Sequence, residues 1–129
     1  MLEQTIEGVV AFSHVTEHDV YNGQSTGKFS ITITMPEDAA QSLSSKGVKI
    51  KDYDNDGEIL KQRKFSSKYD LRVIDAENNP YRREVPRGSK VRLLFKLGQE
   101  HPVHGVSTYL NAVRVLEEAE EMASEAVDF

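Results

Sequence analysis

The chain has 129 residues and no cysteine, which is enough for one self-supporting domain and excludes disulfides, a thiol nucleophile and a cysteine-based zinc site. Its formal net charge of −5 is unevenly distributed, because residues 117–129 contain six acidic residues and no basic one, which leaves +1 for residues 1–116. Since the N-terminus has no secretory character and no apolar run reaches the ~18 residues that cross a bilayer, we expect a soluble, cytoplasmic protein without membrane contact.

The first third of the chain predicts two β-strands separated by a loop. Residues 5–14 are rich in β-forming residues and alternate in part, which is typical of a strand. Residues 15–27 are polar and contain Asn22-Gly23, so they predict a loop. Residues 28–35 alternate cleanly, which indicates a half-buried strand. Its apolar face consists of Phe29, Ile31, Ile33 and Met35.

A short helix and a tight turn follow. Pro36 and the two acids after it suit a first helical turn, and Lys46-Gly47 suits the helix end, so Ala39, Ala40 and Leu43 should face the core. Residues 52–57 imitate the start of a calcium-binding loop, but the twelfth position, where a bidentate Glu is required, is Arg63. We therefore predict a turn here rather than a cation site.

The second half of the chain predicts further strands. Residues 61–75 indicate one long strand or two collinear strands, and residues 89–97 and 106–116 indicate two more. Between these last two, residues 98–105 predict a loop. The apolar face of 61–75 contains Phe65, Tyr69, Leu71 and Val73, which we interpret as packing residues. The alternation in 89–97 points Val91, Leu93, Phe95 and Leu97 inward and Lys90, Arg92 and Lys96 outward.

Five predicted strands, one short helix and corners marked by glycine predict an all-β fold. A sheet of this size must hide its edges, and closure into a five-stranded barrel does so economically. No repeat or low-complexity segment interrupts the pattern. We therefore predict one domain, residues 1–116, followed by a flexible acidic tail, residues 117–129.

Positive charge is concentrated on the predicted outer faces between residues 28 and 96. A groove that offers cations to phosphates and aromatic faces to bases is what sequence-independent binding of single-stranded nucleic acid requires. Among the aromatic residues, the loop residues Tyr21 and Tyr81 are better candidates for base stacking than Tyr69. A merely solvated basic face is the alternative. The candidate cations are Lys28, Arg63, Lys64, Lys68, Arg72, Arg82, Lys90 and Arg92.

No catalytic constellation is visible in the sequence. There is no Gly-x-Ser-x-Gly elbow, no phosphate-binding Gly-Lys-Ser/Thr loop and no dinucleotide fingerprint. His101 and His104 lie three residues apart without a carboxylate pair nearby, so a metal site there would need ligands from elsewhere. We predict a binding protein without cofactor or metal rather than an enzyme, and a metal-dependent nuclease is a remote alternative.

Several segments together resemble a known family. Residues 73–75 lead through a basic loop to the corner Gly88-Ser89-Lys90 and a strand of alternating basic and apolar residues, and residues 110–117 run into an acidic tail that ends in Asp128-Phe129. This combination resembles the OB-fold single-stranded DNA-binding proteins of short-tailed bacteriophages. Residues 27–36 and 54–57 are similar more loosely.

The resemblance implies a protein that coats single-stranded DNA during phage replication or recombination in the host cytoplasm. It also implies that the tail contacts the DNA polymerase and the helicase-primase through Asp128 and Phe129, and that the tail occupies the DNA groove or supports a homodimer. The charge of −6 on the tail and +1 on residues 1–116 likewise predicts that the tail and DNA compete for the same cations. A β-barrel that binds another protein, without nucleic acid, is the alternative.

Overall fold

The computed structural model describes residues 3–18, 20–69, 71–103 and 105–119. These ranges form mostly β-structure with one short helix, which confirms the predicted fold class. The elements are β1 (Glu3–His14), β2 (Val20–Tyr21), β3 (Gln24–Ser25), β4 (Phe29–Met35), α1 (Glu37–Ser45), β5 (Lys51–Asn55), β6 (Glu58–Ser67), β7 (Arg72–Asp75), β8 (Lys90–His101) and β9 (Gly105–Glu117).

Five long strands close into a barrel. Strand β1 lies between β4 and β8, β4 continues to β6, and β8 continues to β9, with every one of these pairs antiparallel. A parallel bridge between Ser66 of β6 and Tyr109 of β9 completes the circle. The order β1-β4-β6-β9-β8 is that of an OB barrel, so the predicted architecture is confirmed.

The interior of the barrel is filled by the apolar faces of the alternating strands. In β4 the side chains of Ile31, Ile33 and Met35 are buried, as the alternation predicts. In β8 the same holds for Val91, Leu93 and Phe95. The ring of Phe95 packs against that of the fully buried Phe65, with centroids 5.1 Å apart. Each such side chain contributes about 1.5–3 kcal/mol when it leaves water.

Helix α1 packs against this core through Ala40 and Leu43, as predicted. Pro36 precedes its first turn, and the chain leaves the helix at Gly47, whose φ of 91° is one that glycine adopts without strain. The carbonyl of Gly47 accepts a hydrogen bond from Val106 N–H at 2.9 Å, which ties the helix end to β9. No helix within the described ranges is long and apolar enough to cross a membrane.

The segment that imitates a calcium loop is the turn of the β5–β6 hairpin, as predicted. Asp56 and Gly57 have positive φ angles of 52° and 91°, which suit a tight hairpin turn. The carboxylate of Asp54 accepts the N–H of Gly57 at 2.9 Å. The acidic side chain therefore serves the turn itself.

Three local predictions were wrong. Residues 61–75 are not collinear: β6 ends at Ser67, and β7 then pairs in parallel with β9 instead of with β4. The predicted loop 98–105 is mostly strand, because β8 continues to His101, and His104 lies outside the described residues. The predicted loop 15–27 contains the small β2–β3 hairpin. Local alternation cannot show where a strand changes its partner, which is the physical reason for the first error.

Candidate nucleic-acid interface

A groove of about 470 Å³ lies over the junction of β6 and β9, and we call it the seam groove. The parallel bridge between Ser66 and Tyr109 joins the two strands at this position. The side chains around it are mostly hydroxyl-bearing, cationic or aromatic. The groove is lined by Lys28, Arg63, Lys64, Ser66–Tyr69 and Val106–Asn111.

Three exposed lysines reach the seam groove from different elements. Lys64 lies on β6 opposite Thr32, Lys68 lies in the turn after β6, and Lys28 immediately precedes β4. Lys28 is positioned by a turn in which its N–H donates to the hydroxyl of Thr26 at 3.3 Å. Within the described part of the chain, no carboxylate forms an ion pair with Lys28 or Lys68. Their charge is therefore available to an anionic ligand.

Arg63 does not point outward as the sequence analysis expected. It lies on the same side of β6 as the buried Phe65 and is half-buried, with its guanidinium carbon 5.9 Å from the Phe65 ring centroid. Its Nε and Nη2 donate to the hydroxyl of Thr108 at 3.2 and 3.0 Å, and its Nη1 donates to the carbonyl of Lys49 at 2.7 Å. Burial lowers the pKa of Arg63. Because a guanidinium has five N–H groups, two remain for a ligand.

Two tyrosines frame the groove, and they are not the two that the sequence analysis favoured. Tyr69 is 80% exposed, so its interpretation as a packing residue was wrong. The Ser67 hydroxyl accepts from the N–H of Tyr69 and donates to its carbonyl, both at 3.1 Å, and this turn holds Tyr69 outside the barrel. Tyr109 is 54% exposed on the outer side of β9.

The ring of Tyr109 lies across a glycine of the neighbouring strand. A Cβ atom added to Gly98 of β8 would stand only 2.4 Å from Cε2 of Tyr109. The absence of a side chain at Gly98 therefore leaves room for the ring, an arrangement in which an aromatic side chain covers a glycine across the strand pair. Tyr109 remains more than half exposed and lines the seam groove.

Tyr81, one of the two favoured tyrosines, lies outside the seam groove. Tyr81 is half-buried against the core, and its hydroxyl donates to Oε2 of Glu118 at 2.8 Å. Burial, helped by this hydrogen bond, raises the pKa of Tyr81. Tyr21 belongs to β2, but its side chain lies outside the described part of the structure, as do Asp128 and Phe129.

A second depression, of about 330 Å³, follows the seam groove along β9, and we call it the arginine depression. The seam groove ends at Asn111, and the arginine depression begins at the next residue, Ala112. Arg92 is held in its wall by Glu7, whose carboxylate accepts from Nε at 3.3 Å and from Nη2 at 3.0 Å. The depression is lined by Thr5, Arg72, Ile74, Asn78, Arg92, Leu94 and Ala112–Arg114.

The two remaining predicted cations, Arg82 and Lys90, do not line the seam groove. Arg82 lines a third depression of about 340 Å³, together with Tyr81 and with Arg72, which it shares with the arginine depression. Lys90 lies at the start of β8, opposite Glu117, and lines none of the three. The predicted basic surface is thus a chain of neighbouring depressions with Lys90 outside it.

Two residues that line these surfaces, Tyr109 and Arg114, were not among the predicted binding residues. Tyr109 alternates along β9 with the buried Thr108 and Leu110, and Arg114 alternates with the buried Val113. Alternation from the buried Thr108 and Leu110 places Tyr109 outward but would bury Arg114, because the two residues differ in parity. Arg114 lines the arginine depression because the pairing of β9 with β8 shifts its register between them. Tyr109 was given less weight than the loop tyrosines.

The root of the acidic tail is held at the other end of β9, in what we call the tail-root corner (Tyr81, Arg83, Ser89, Glu118 and Ala119). Oε2 of Glu118 accepts from the hydroxyl of Tyr81 and from Nη2 of Arg83, and these two hydrogen bonds lower the pKa of Glu118. The N–H of Ala119 donates to the hydroxyl of Ser89 at 2.9 Å. Strand β9 itself runs one residue beyond the predicted boundary, to Glu117.

Solved structures with the same fold include bacteriophage proteins. The single-stranded DNA-binding protein from bacteriophage Enc34 in complex with single-stranded DNA superposes with a TM-score of 0.70 at 16% identity, covering 92% of this chain and 88% of that one. Another structure of the Enc34 protein superposes with a TM-score of 0.67 at 18% identity, covering 98% of this chain and 87% of that one. The single-stranded DNA-binding protein gp2.5 encoded by bacteriophage T7 gives 0.55 at 16% identity, covering 95% and 96%. At these identities the likeness establishes a shared fold.

Neither a protein-family model nor a characterised protein matches the sequence itself.

Proposed function

We propose that this protein binds single-stranded DNA without sequence preference in the seam groove and acts in phage DNA replication or recombination. The observation that carries the proposal is the meeting of three exposed lysines and two exposed tyrosines over one groove. The barrel also shares its fold with structures of phage single-stranded DNA-binding proteins. The protein acts by binding alone, without catalysis.

The lysines contribute affinity through the DNA backbone. Lys28, Lys64 and Lys68 replace counterions condensed on the phosphates, and each such contact adds about 0.7 to the slope of log K against log salt for a single strand. The two free N–H groups of Arg63 add directional donors for phosphate oxygens. Binding is therefore strongest at low ionic strength.

The tyrosines contribute affinity through the bases. A base stacked on Tyr69 or Tyr109 gains about 1–3 kcal/mol, and every base has a face that can stack. The groove side chains between the rings are largely short hydroxyls, which suit sugar and phosphate contacts. Such a surface binds DNA without discriminating between bases.

The acidic tail is the second functional part of the proposal. Its root lies about 23 Å from the end of the seam groove, if each of the seven steps from Asn111 to Glu118 spans about 3.3 Å. Residues 120–129 span at most ~35 Å when extended, so they can return to the groove. The tail then competes with DNA, and once displaced it offers Asp128 and Phe129 to the polymerase and helicase-primase or to a second copy of the chain.

Titration of labelled oligo-dT, followed by fluorescence anisotropy, tests the proposal against duplex DNA of the same length. We expect oligo-dT to bind and the duplex to bind far more weakly. Lys64→Ala with Lys68→Ala should lower the salt slope by about 1.4, since two phosphate contacts are lost. As a matched control, Lys51→Ala with Arg87→Ala removes two exposed cations outside the groove.

An unchanged slope in the Lys64 and Lys68 variant would place the DNA on another face. Absence of oligo-dT binding by the unmodified protein would favour the alternative, a β-barrel that binds another protein.

A further inference from the structure

Two rows of residues run side by side across four neighbouring strands and form the arginine depression. In one row, Glu7 of β1 faces Arg92 of β8, which faces Arg114 of β9. In the other row, Leu94 of β8 faces Ala112 of β9, which faces Arg72 of β7. Three arginines thus surround a floor of one small and one aliphatic side chain.

The charges of this surface are incompletely balanced. Arg92 and Arg114 occupy directly opposite positions on adjacent strands, an arrangement in which like charges repel. Glu7 neutralises Arg92, but within the described residues no carboxylate forms an ion pair with Arg72 or Arg114. An anion bound between the arginines would remove this repulsion.

Two of the three arginines, Arg92 and Arg114, are also held in position by neighbouring groups. Glu7 holds the guanidinium of Arg92, and the carbonyls of Asp75 and Ala76 lie 3.4 and 3.5 Å from Nη1 of Arg114. The small side chain of Ala112 keeps the centre of the surface low. A planar guanidinium fork binds two oxygens of a phosphate at once, which a lysine does not.

The β9 residues that line the arginine depression follow directly after those that line the seam groove. The last residue that lines the seam groove is Asn111, and the first on β9 that lines the arginine depression is Ala112. From Tyr109 to Ala112 the strand rises only about 10 Å. A strand of DNA stacked on Tyr109 therefore meets the arginines within the next nucleotides.

We infer that single-stranded DNA continues from the seam groove onto the arginine depression, where Arg72, Arg92 and Arg114 bind its phosphates. This inference rests on the proposed function and adds the direction and extent of the DNA path. The seam groove contributes stacking and phosphate contacts, whereas the arginine depression contributes phosphate contacts alone. Longer oligonucleotides then bind more tightly than those that fill only the seam groove.

A length series of oligo-dT from about 4 to about 16 nucleotides, the range that single OB folds occupy, tests this path. For the unmodified protein, affinity should rise beyond the length that fills the seam groove. Arg72→Gln with Arg114→Gln should bind the shortest oligonucleotides normally and the longest about tenfold more weakly, with a salt slope about 1.4 lower on the long ones only. Lys51→Gln with Arg87→Gln, which removes the same charge elsewhere, should match the unmodified protein at every length.

An equal loss at all lengths, or no loss at any length, would overturn the inference while the proposed function stands. If the unmodified protein bound no oligonucleotide, the proposed function would itself fail. Thermal melting of each variant separates loss of binding from loss of folding, and Arg72→Gln alone, at an exposed position, repeats the test with a smaller change.

Discussion

The seam groove and the tail-root corner contain the same kinds of side chain in opposite situations. In the tail-root corner, the hydroxyl of Tyr81 and the guanidinium of Arg83 are both bound to Glu118. In the seam groove, the rings of Tyr69 and Tyr109 are more than half exposed. The comparison teaches that a tyrosine can mark a binding surface only where the fold leaves its ring exposed, and not where the ring is packed and its hydroxyl is bound internally.

Removing both groove tyrosines should have the largest effect on binding. Tyr69→Ala with Tyr109→Ala loses two stacking platforms worth about 1–3 kcal/mol each, so oligo-dT affinity should fall at least about thirtyfold. Tyr81→Phe, which removes only the hydroxyl bound to Glu118, should leave affinity unchanged. Anisotropy titrations at one fixed salt concentration measure both, and a loss of affinity in Tyr81→Phe alone would reverse the comparison.

The segment between β7 and β8, which contains Tyr81 and Arg83 of the tail-root corner, should contribute to folding stability and not to DNA binding. The carboxylate of Glu84 accepts hydrogen bonds from the Ser13 hydroxyl at 2.6 Å, from the N–H groups of Val15 and Thr16 at 2.8 and 2.9 Å, and from the Thr16 hydroxyl at 2.5 Å. Glu84→Gln weakens all of these bonds and should lower the free energy of unfolding by about 1–2 kcal/mol, given its partial exposure. Chemical denaturation measures this loss, and Glu58→Gln at an exposed position provides the control.

Ionisation of the Glu84 carboxyl should make the folding stability depend on pH. Burial acts to raise the pKa of Glu84, but the hydrogen bonds from Ser13, Val15 and Thr16 outweigh it, so the pKa lies below its ordinary value of 4.5. A lowered folded-state pKa means that the carboxylate stabilises the fold above pH 4.5 and that this contribution is lost as the pH falls further. Stability of the unmodified protein should therefore decline more steeply below that pH than stability of Glu84→Gln, and parallel curves would contradict the assignment.

Deleting residues 120–129 tests whether the acidic tail competes with DNA for the seam groove. The deletion removes four acidic residues and keeps Glu118 in the tail-root corner. Oligo-dT affinity should rise severalfold at low salt and stay unchanged near 1 M salt, where the Debye length is about 3 Å. Glu→Gln and Asp→Asn changes at the four acidic positions test charge at constant length. Unchanged affinity at low salt would show that the tail does not compete for the groove.

The smallest expected effect concerns the orientation of the Tyr109 ring. Gly98→Ala places a methyl group 2.4 Å from Cε2 of Tyr109, which is too close, so the exposed ring must turn away. We expect a loss of oligo-dT affinity of about two- to fivefold, a fraction of one stacked base, with little change in stability. In a Tyr109→Ala background the same substitution should cost nothing, and a full double-mutant cycle measures this coupling. An additive result would show that Gly98 does not act through Tyr109.

Local patterns in the sequence determined most of the long elements and the core of this protein, although not every strand boundary. The alternation in β4 and β8, the proline and glycine around α1 and the acidic turn of the β5–β6 hairpin each depend on neighbours a few residues apart. Such signals arise from backbone sterics and burial, so they survive in the sequence alone. The resemblance of the Gly-Ser-Lys corner and the acidic tail to phage proteins also predicted the barrel.

Only the tertiary structure decided which side chains meet. The parallel bridge between Ser66 and Tyr109 brings together strands more than forty residues apart and so creates the seam groove. The same junction lets the guanidinium of Arg63 donate to the hydroxyl of Thr108 on β9. At the other end of β9, the hydroxyl of Tyr81 donates to Glu118. These contacts depend on the partner that each strand selects and not on its own residues, because alternation fixes which face a side chain occupies but not what lies opposite it.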